Sequence, residues 1–269
     1  MLLAIDIGNT TISLGVLKKN KMIDVYNIKT ASPRQELARD LNGFLFKIKK
    51  NYPDLRSIII CSVVPKVTKI VQPYLKKCLD INPVVVGQDI IVPIKNNYHD
   101  PRQVGQDRLV CAFAVKCFYG VPAIVIDFGT ATTLDVVSGK GEYEGGMIVP
   151  GIQLSVESLF QKTALLPRID MIKPPRGLIG KNTQESILSG IFYGYGMMCS
   201  GLIDLLRKQT YGNPRDKSLS EAKVFVTGGY ASLMKRFIFH KVDKVDPHLV
   251  FKGLYLLHKE IGDTAFPQF

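Results

Sequence analysis

The sequence predicts an α/β protein made of two similar halves, and three observations carry that prediction. A strand, polar turn and strand occur as LLAIDIG, NTT and ISLGVL over Leu2 to Leu17, and the signal returns as AIVIDFG, TATT and LDVV in mid-chain. The two copies align with Asp6 over Asp127 and Gly8 over Gly129, which suggests duplication. Strand-like and helix-like patterns then alternate after each copy. Finally, 269 residues exceed one average domain and suit two medium ones.

Within the first half, QELARDLNGFLFKIKK has apolar residues at helical spacing and a charged opposite face, and RSIIICSVV reads as a short buried strand. KVTKIVQPYLKKCL reads as a helix interrupted or bent by Pro73, and NPVVVGQ as a further strand. The first half therefore ends near Gly120, giving halves at 1–120 and 121–269. In the second, TQESILSGIFYGYGMMCSGLIDLLRKQ is helical despite its glycines, and AKVFVTGGYASLMKRF is a strand, a glycine turn and a helix. The long helix is apolar on more than one face, so either an internal core or a second copy must cover it. No low-complexity linker interrupts the chain, and two tightly packed halves facing a cleft are expected, with ligands in the cleft.

Composition excludes several classes. The longest apolar runs, such as VPAIVIDFG, fall short of the roughly 20 residues that cross a bilayer, so no membrane span is expected. MLLAIDIGNT has no basic region before its apolar stretch and carries Asp6 within it, which argues against a cleaved signal and for a cytoplasmic protein. Five cysteines are an odd number with no CxxC pair, as expected of reduced, buried thiols. The net charge of +12 is scattered. Its tightest groups, KKNK near Lys18 and KIKK near Lys47, lack interleaved aromatics, so they read as solvated surface or a polyanion patch rather than a nucleic-acid site.

The two turns have the composition of a phosphate site. In a tight glycine-containing hairpin the N–H groups can converge on an anion, and small hydroxyl residues add donors without filling the space. An Asp before the glycine can hold hydrated Mg²⁺, which usually takes only one or two carboxylates, and Asp6 and Asp127 suit that role. The plain alternative is a hairpin whose Asp accepts backbone hydrogen bonds. VTGGY, Val226 to Tyr230, reads equally as a nucleotide approach or as a structural turn. No GxxxxGK[ST] or GxGxxG stretch is present, which disfavours the P-loop and Rossmann routes.

YHDPRQVGQDRLVCAFAV, from Tyr98 to Val115, sets polar residues before an apolar helix. Asp107 at a helix start can be a cap and Arg108 surface charge. In a site facing ATP phosphates the same carboxylate can accept a proton from an alcohol, and the arginine can grip a substrate carboxylate or amide oxygen.

DIGNTT, YHDPRQVGQDR, DFGTATT, EGGMIVPG and the IGKNTQESI segment occur in the order and spacing of the type III pantothenate kinases, which the chain resembles over nearly its full length. The resemblance implies the duplicated ribonuclease H-like, actin-like ATPase fold, and phosphorylation of pantothenate by ATP with Mg²⁺ as the first step of coenzyme A biosynthesis. It implies that Asp6, Ile7, Gly8, Asn9, Thr10, Thr11, Ile12 and Ser13 embrace the ATP phosphates, with Mg²⁺ near Asp6, and that Thr130 adds a nucleotide contact. Asp127 matches the ligand of a monovalent cation, K⁺ or NH₄⁺, and Asp107 the proton acceptor. Tyr98, Gly105, Gln106, Asp107 and Arg108 match pantothenate contacts. Thr183 matches a contact given by the partner subunit of a homodimer. Gln106 stands where the family often has a small residue such as alanine. Two rival functions are a kinase of the same superfamily with another acceptor, and a non-enzymatic accessory factor for gene expression. Asp107 and Arg108 favour the enzyme.

Overall fold

A computed structural model describes residues 1–30, 34–208, 219–240 and 242–263. The elements of the first stretch are β1 (Leu2–Ile7), β2 (Thr11–Lys18), β3 (Lys21–Lys29), α1 (Arg34–Asn51), β4 (Ser57–Ser62), α2 (Pro65–Leu79), β5 (Pro83–Val85) and α3 (Gln106–Phe118). There follow β6 (Ala123–Phe128), β7 (Ala131–Val137), β8 (Tyr143–Pro150), α4 (Ile152–Lys162), α5 (Thr183–Lys208), β9 (Lys223–Thr227), α6 (Ala231–Met234), β10 (Lys244–Val245) and α7 (Leu249–Asp263). Pro73 lies inside α2, which continues through it.

The duplication read from the two hairpins extends to whole sheets. One sheet has the order β3-β2-β1-β4-β5 and the other β8-β7-β6-β9-β10, which is the same arrangement. In each, three strands run as an antiparallel meander and the last two join in parallel.

Contacts divide the chain into two compact units, one of Met1–Pro93, Asp100–Ala114 and the chain from Leu249 onward, the other of Ile94–His99 and Val115–His248. The boundary expected at residue 120 differs from this division in three respects, the first being that Ile94–His99 belongs to the second unit. The split falls inside α3, and α7 belongs with the first unit, because it packs on β1 and β4. Its Gly253 lets it approach α3: a Cβ there would lie 2.5 Å from both Cγ1 and the carbonyl oxygen of Val110.

Strand alternation decides what each sheet face carries. In the first unit Leu3, Ile5, Ile7, Ile12, Leu14, Val16, Ile58 and Ile60 point to one face and pack with α1 and α2. Asp6, Ser13 and Cys61, each paired in register with Asp6 or being it, share the other face. The second unit repeats this. Ile124, Ile126, Phe128, Leu134, Val136, Val224 and Val226 pack with α4, α5 and α6, and Asp127 with its register partner Thr133 lies on the opposite face.

Among the described residues, α5 is one helix long and apolar enough, by length and composition, to cross a membrane. Leu188, Phe192, Cys199, Ile203 and Leu206 on it are buried in the core of the second unit, as in a core helix of a folded domain.

Candidate active site

In the first hairpin Ile7 pairs with Ile12 and Asp6 with Ser13, so Gly8 to Thr11 form the turn. Its carbonyls are tied back: Gly8 N–H donates to Thr11 O (3.0 Å), Thr30 N–H to Thr10 O (3.0 Å) and Thr30 Oγ1 to Gly8 O (2.7 Å). Engaging the carbonyls matters for an anion site, because acceptors at the tip would otherwise repel phosphate. Asn9 and Thr10 are exposed at the tip. Ile7 and Ile12 are 0% exposed in the core, so among the eight residues expected at the phosphates these two can offer only backbone.

The first unit also brings together two carboxylates distant in sequence. Asp107 lies in the first turn of α3, where negative charge is favoured by the helix dipole. Its Oδ1 accepts the N–H of Arg108 (2.8 Å), and a Cβ on Gly105 would lie only 2.4 Å from that oxygen, so glycine is what leaves the carboxylate its place. Asp6 is the register partner of Cys61 on β4. Burial, followed by the charges of Asp6 and Asp107, pushes the Cys61 thiol well above its ordinary value. Both carboxylates thus act electrostatically on one buried thiol. Gln106 packs beside Gly87, which has φ +82°; a Cβ there would lie 2.8 Å from the Gln106 side-chain carbon, so the larger residue at 106 is matched by a glycine on the loop after β5.

The second hairpin is one residue tighter. Phe128 pairs with Thr132 and Asp127 with Thr133, leaving Gly129 to Ala131 as the turn. Two glycines crowd it. Gly228, at φ +90°, would place a Cβ 2.2 Å from Asp127 Oδ1, and Tyr230 N–H donates to Phe128 O (3.2 Å). Gly228 is therefore a structural turn that shapes the surroundings of Asp127, whereas Gly229 meets open space. Gly151, from EGGMIVPG, donates its N–H to Thr130 O (3.0 Å) and opens α4.

Tyr98 belongs to the second unit, since the strand-like segment around it is stitched to the start of β8. Tyr143 N–H donates to Lys95 O (2.8 Å), Asn97 N–H to Tyr143 O (2.9 Å), and Lys95 pairs with Glu142 (3.1 Å). Thr183 is the first residue of α5 and is exposed. The Asn182 side chain accepts Glu185 N–H and the Glu185 carboxylate accepts Lys181 N–H, both at 2.9 Å, a capping arrangement that explains IGKNTQES locally.

The family model for type III pantothenate kinase matches residues 2–205. The chain belongs to that family. A Moorella thermoacetica type III pantothenate kinase is 38% identical over 264 residues, covering 96% of this chain and 99% of its own. Among solved structures, an activator of 2-hydroxyisocaproyl-CoA dehydratase from Clostridium difficile has a TM-score of 0.53 at 14% identity, covering 100% of this chain and 99% of its own. A ROK family glucokinase from Streptomyces griseus also scores 0.53, at 12% identity, covering 96% and 99%. The two structures share the actin-like fold expected from the sequence.

For this kinase the structure gathers Asp6, Ser13, Asp107 and Arg108 in the first unit, and Tyr98, Asp127, Thr130 and Thr183 in the second. Sequence reasoning missed Cys61, Gly87, Gly151 and Tyr143 as parts of the surroundings of these residues. Cys61 read only as one of the buried thiols, and no motif singled out Tyr143. EGGMIVPG was visible as a motif, but only the packing of Gly151 on Thr130 gives its glycine a reason.

Proposed function

We propose that Asp107 is the proton acceptor when this kinase transfers the terminal phosphoryl group of ATP to the primary hydroxyl of pantothenate, the first step of coenzyme A biosynthesis. The observation carrying this reading is that Asp107 and Asp6 meet near the end of β4: Asp6 pairs in register with Cys61, Val63 N–H donates to Ile7 O (3.1 Å), and a Cβ on Gly105, the glycine that abuts Asp107, would lie 3.4 Å from Val63 Cγ1. It supports an acceptor base and a phosphate-side carboxylate in one neighbourhood. The pantothenate hydroxyl oxygen attacks the γ-phosphorus, the bond to the β-phosphate oxygen breaks, ADP leaves, and the hydroxyl proton passes to Asp107. Arg108 and Gly105 to Gln106 are the contacts assigned to the acceptor, and Tyr98 is a further one.

The first hairpin binds the phosphates through backbone N–H groups and the hydroxyls of Thr10, Thr11 and Ser13, and Thr130 adds a nucleotide contact. Asp6 fits Mg²⁺, and Asp127 fits K⁺ or NH₄⁺. Mg²⁺ usually takes only one or two protein carboxylates and keeps several waters, which one Asp at the first turn can satisfy. Bound there, the cations neutralise charge on the transferring phosphoryl group. A coupled assay of ATP consumption with pantothenate, a panel of sugars and acetate tests the acceptor, and turnover is expected with pantothenate alone. Replacing K⁺ by Na⁺ at matched ionic strength should lower turnover strongly, and equal rates would remove the Asp127 assignment while leaving the kinase assignment standing.

The active species is a homodimer in which Thr183 completes the neighbour's pantothenate pocket. In support, α5 carries a second stripe opposite its buried one: Gly190, Gly194, Met197, Gly201 and Leu205 are exposed at spacings of three and four, with Met197 56% and Leu205 62% exposed. Small residues with no neighbour at their missing Cβ let two such helices approach closely. Mixing Asp107→Asn with Thr183→Ala protein should restore activity once subunits exchange, because one pocket of a mixed dimer carries neither lesion. Exchange without recovery, or a fully active monomer in sedimentation, would sink the shared site. The enzyme works in the cytoplasm, where ATP is supplied.

A further inference from the structure

The face of the second sheet that bears Asp127 holds a buried polar network. Asp135 is 2% exposed and Tyr143 is 0% exposed. Tyr143 donates its hydroxyl to Asp135 Oδ1 (2.7 Å), and Thr133 donates its hydroxyl to Asp135 Oδ2 (2.9 Å). Thr133 is in turn the cross-strand partner of Asp127. At the other end the Tyr143 ring lies 6.5 Å, centroid to centroid, from that of Tyr98. The edge of the Tyr98 ring passes 3.3 Å from where a Cβ of Gly145 would stand, and Gly145 has φ +113°. Tyr98 N–H is fixed by the Asn96 side chain (3.0 Å).

A buried carboxylate is costly unless it is bonded, and a close-packed apolar pair would cover this sheet with less desolvation. What the network supplies instead is a fixed orientation for the Tyr143 ring, and so a floor against which Tyr98 is held. We infer that Tyr143 and Asp135 are positioning residues for acceptor binding, setting the Tyr98 ring where it meets pantothenate. The inference deepens the proposed function and rests on its assignment of Tyr98.

Tyr143→Phe removes the hydroxyl and keeps the ring. It is expected to raise the KM for pantothenate roughly 5- to 10-fold, the effect of about one net hydrogen bond, with kcat and the KM for ATP within about twofold. A purely structural role would lower the melting temperature without that split. Should Tyr143→Phe fail to fold, Asp135→Asn keeps the shape, weakens the same contact and is expected to shift the same KM. The decisive comparison is a cycle with Tyr98→Ala. If Tyr143 acts through Tyr98, the double variant has the pantothenate KM of Tyr98→Ala alone. Full additivity, or an unchanged KM in Tyr143→Phe, overturns the inference and leaves the Tyr98 assignment intact. A Tyr98→Ala protein with normal pantothenate KM overturns that assignment, and the inference with it.

Discussion

Asp107→Asn is expected to lower kcat by roughly 10²- to 10⁴-fold while ATP still binds. The substitution is nearly isosteric, and the local structure has reason to survive it. Asp107 Oδ1 accepts the N–H of Arg108, and an Asn carbonyl can do the same. Asn also tolerates a helix N-terminal position well. What it cannot do is take a proton from the attacking hydroxyl at neutral pH. Phosphoryl transfer has a loose transition state, so positioning and charge neutralisation supply most of the acceleration and survive the change. A complete loss of all turnover would therefore be more than base removal explains. Steady-state kcat, read beside a calorimetric titration with ATP, separates the two contributions. Turnover within about threefold of the parent would remove Asp107 from the base role, since a positioned base is worth at least about 10²-fold. An equal loss of ATP affinity would instead make it a nucleotide-site residue.

Gly151→Ala is the second large effect, and it involves a residue with no chemistry of its own. Gly151 has φ −74°, a conformation open to any residue, so backbone strain plays no part. The added Cβ would lie 2.2 Å from Thr130 O, 2.4 Å from Gly129 O and 2.7 Å from Thr130 C. These are backbone atoms of the second turn and cannot swing aside like a side chain. Either α4 or the turn must shift, and the hydrogen bond from Gly151 to Thr130 goes with it. Displacing a substrate-positioning group by about 1 Å can cost on the order of 10²-fold. We expect a loss of that size in kcat/KM for ATP, with weaker activation by K⁺, and a destabilisation of about 1–3 kcal/mol from overpacking. Gly43→Ala is the control: it lies in α1 with nothing within 4 Å of the new Cβ, and is expected to stabilise by about 0.5–1 kcal/mol with unchanged kinetics. Gly151→Ala protein with parental kinetics would show that the second turn does not govern nucleotide handling.

The hairpins were legible because they depend on neighbours in the chain. Alternating apolar residues, a glycine and small polar residues specify strand, turn and strand without help from elsewhere, and repetition of the signal foretold two sheets of equal order. The main helices were legible from their periodicity for the same reason. Family motifs then assigned Asp6, Tyr98, Asp107, Asp127 and Thr183 before any contact was known. The sequence did not reveal that α7 returns to the first sheet, since its apolar pattern would suit either core and only its contacts with β1, β4 and α3 select one.

By itself, then, the amino-acid sequence determined the duplicated α/β plan, the family and the candidate residues, all of which rest on local pattern and on motif order. The tertiary structure alone decided which of those residues share a neighbourhood: Asp6 and the Gly105–Asp107 turn by the end of β4, Tyr98 against Tyr143 and Gly145, and the second turn under Gly151 and Gly228. It also withdrew the side chains of Ile7 and Ile12 from the nucleotide, since strand alternation turns both into the core. The physical reason is range. Propensity and periodicity act over a few residues, whereas burial, charge and the absence of a Cβ act between atoms that folding brings together from distant parts of the chain.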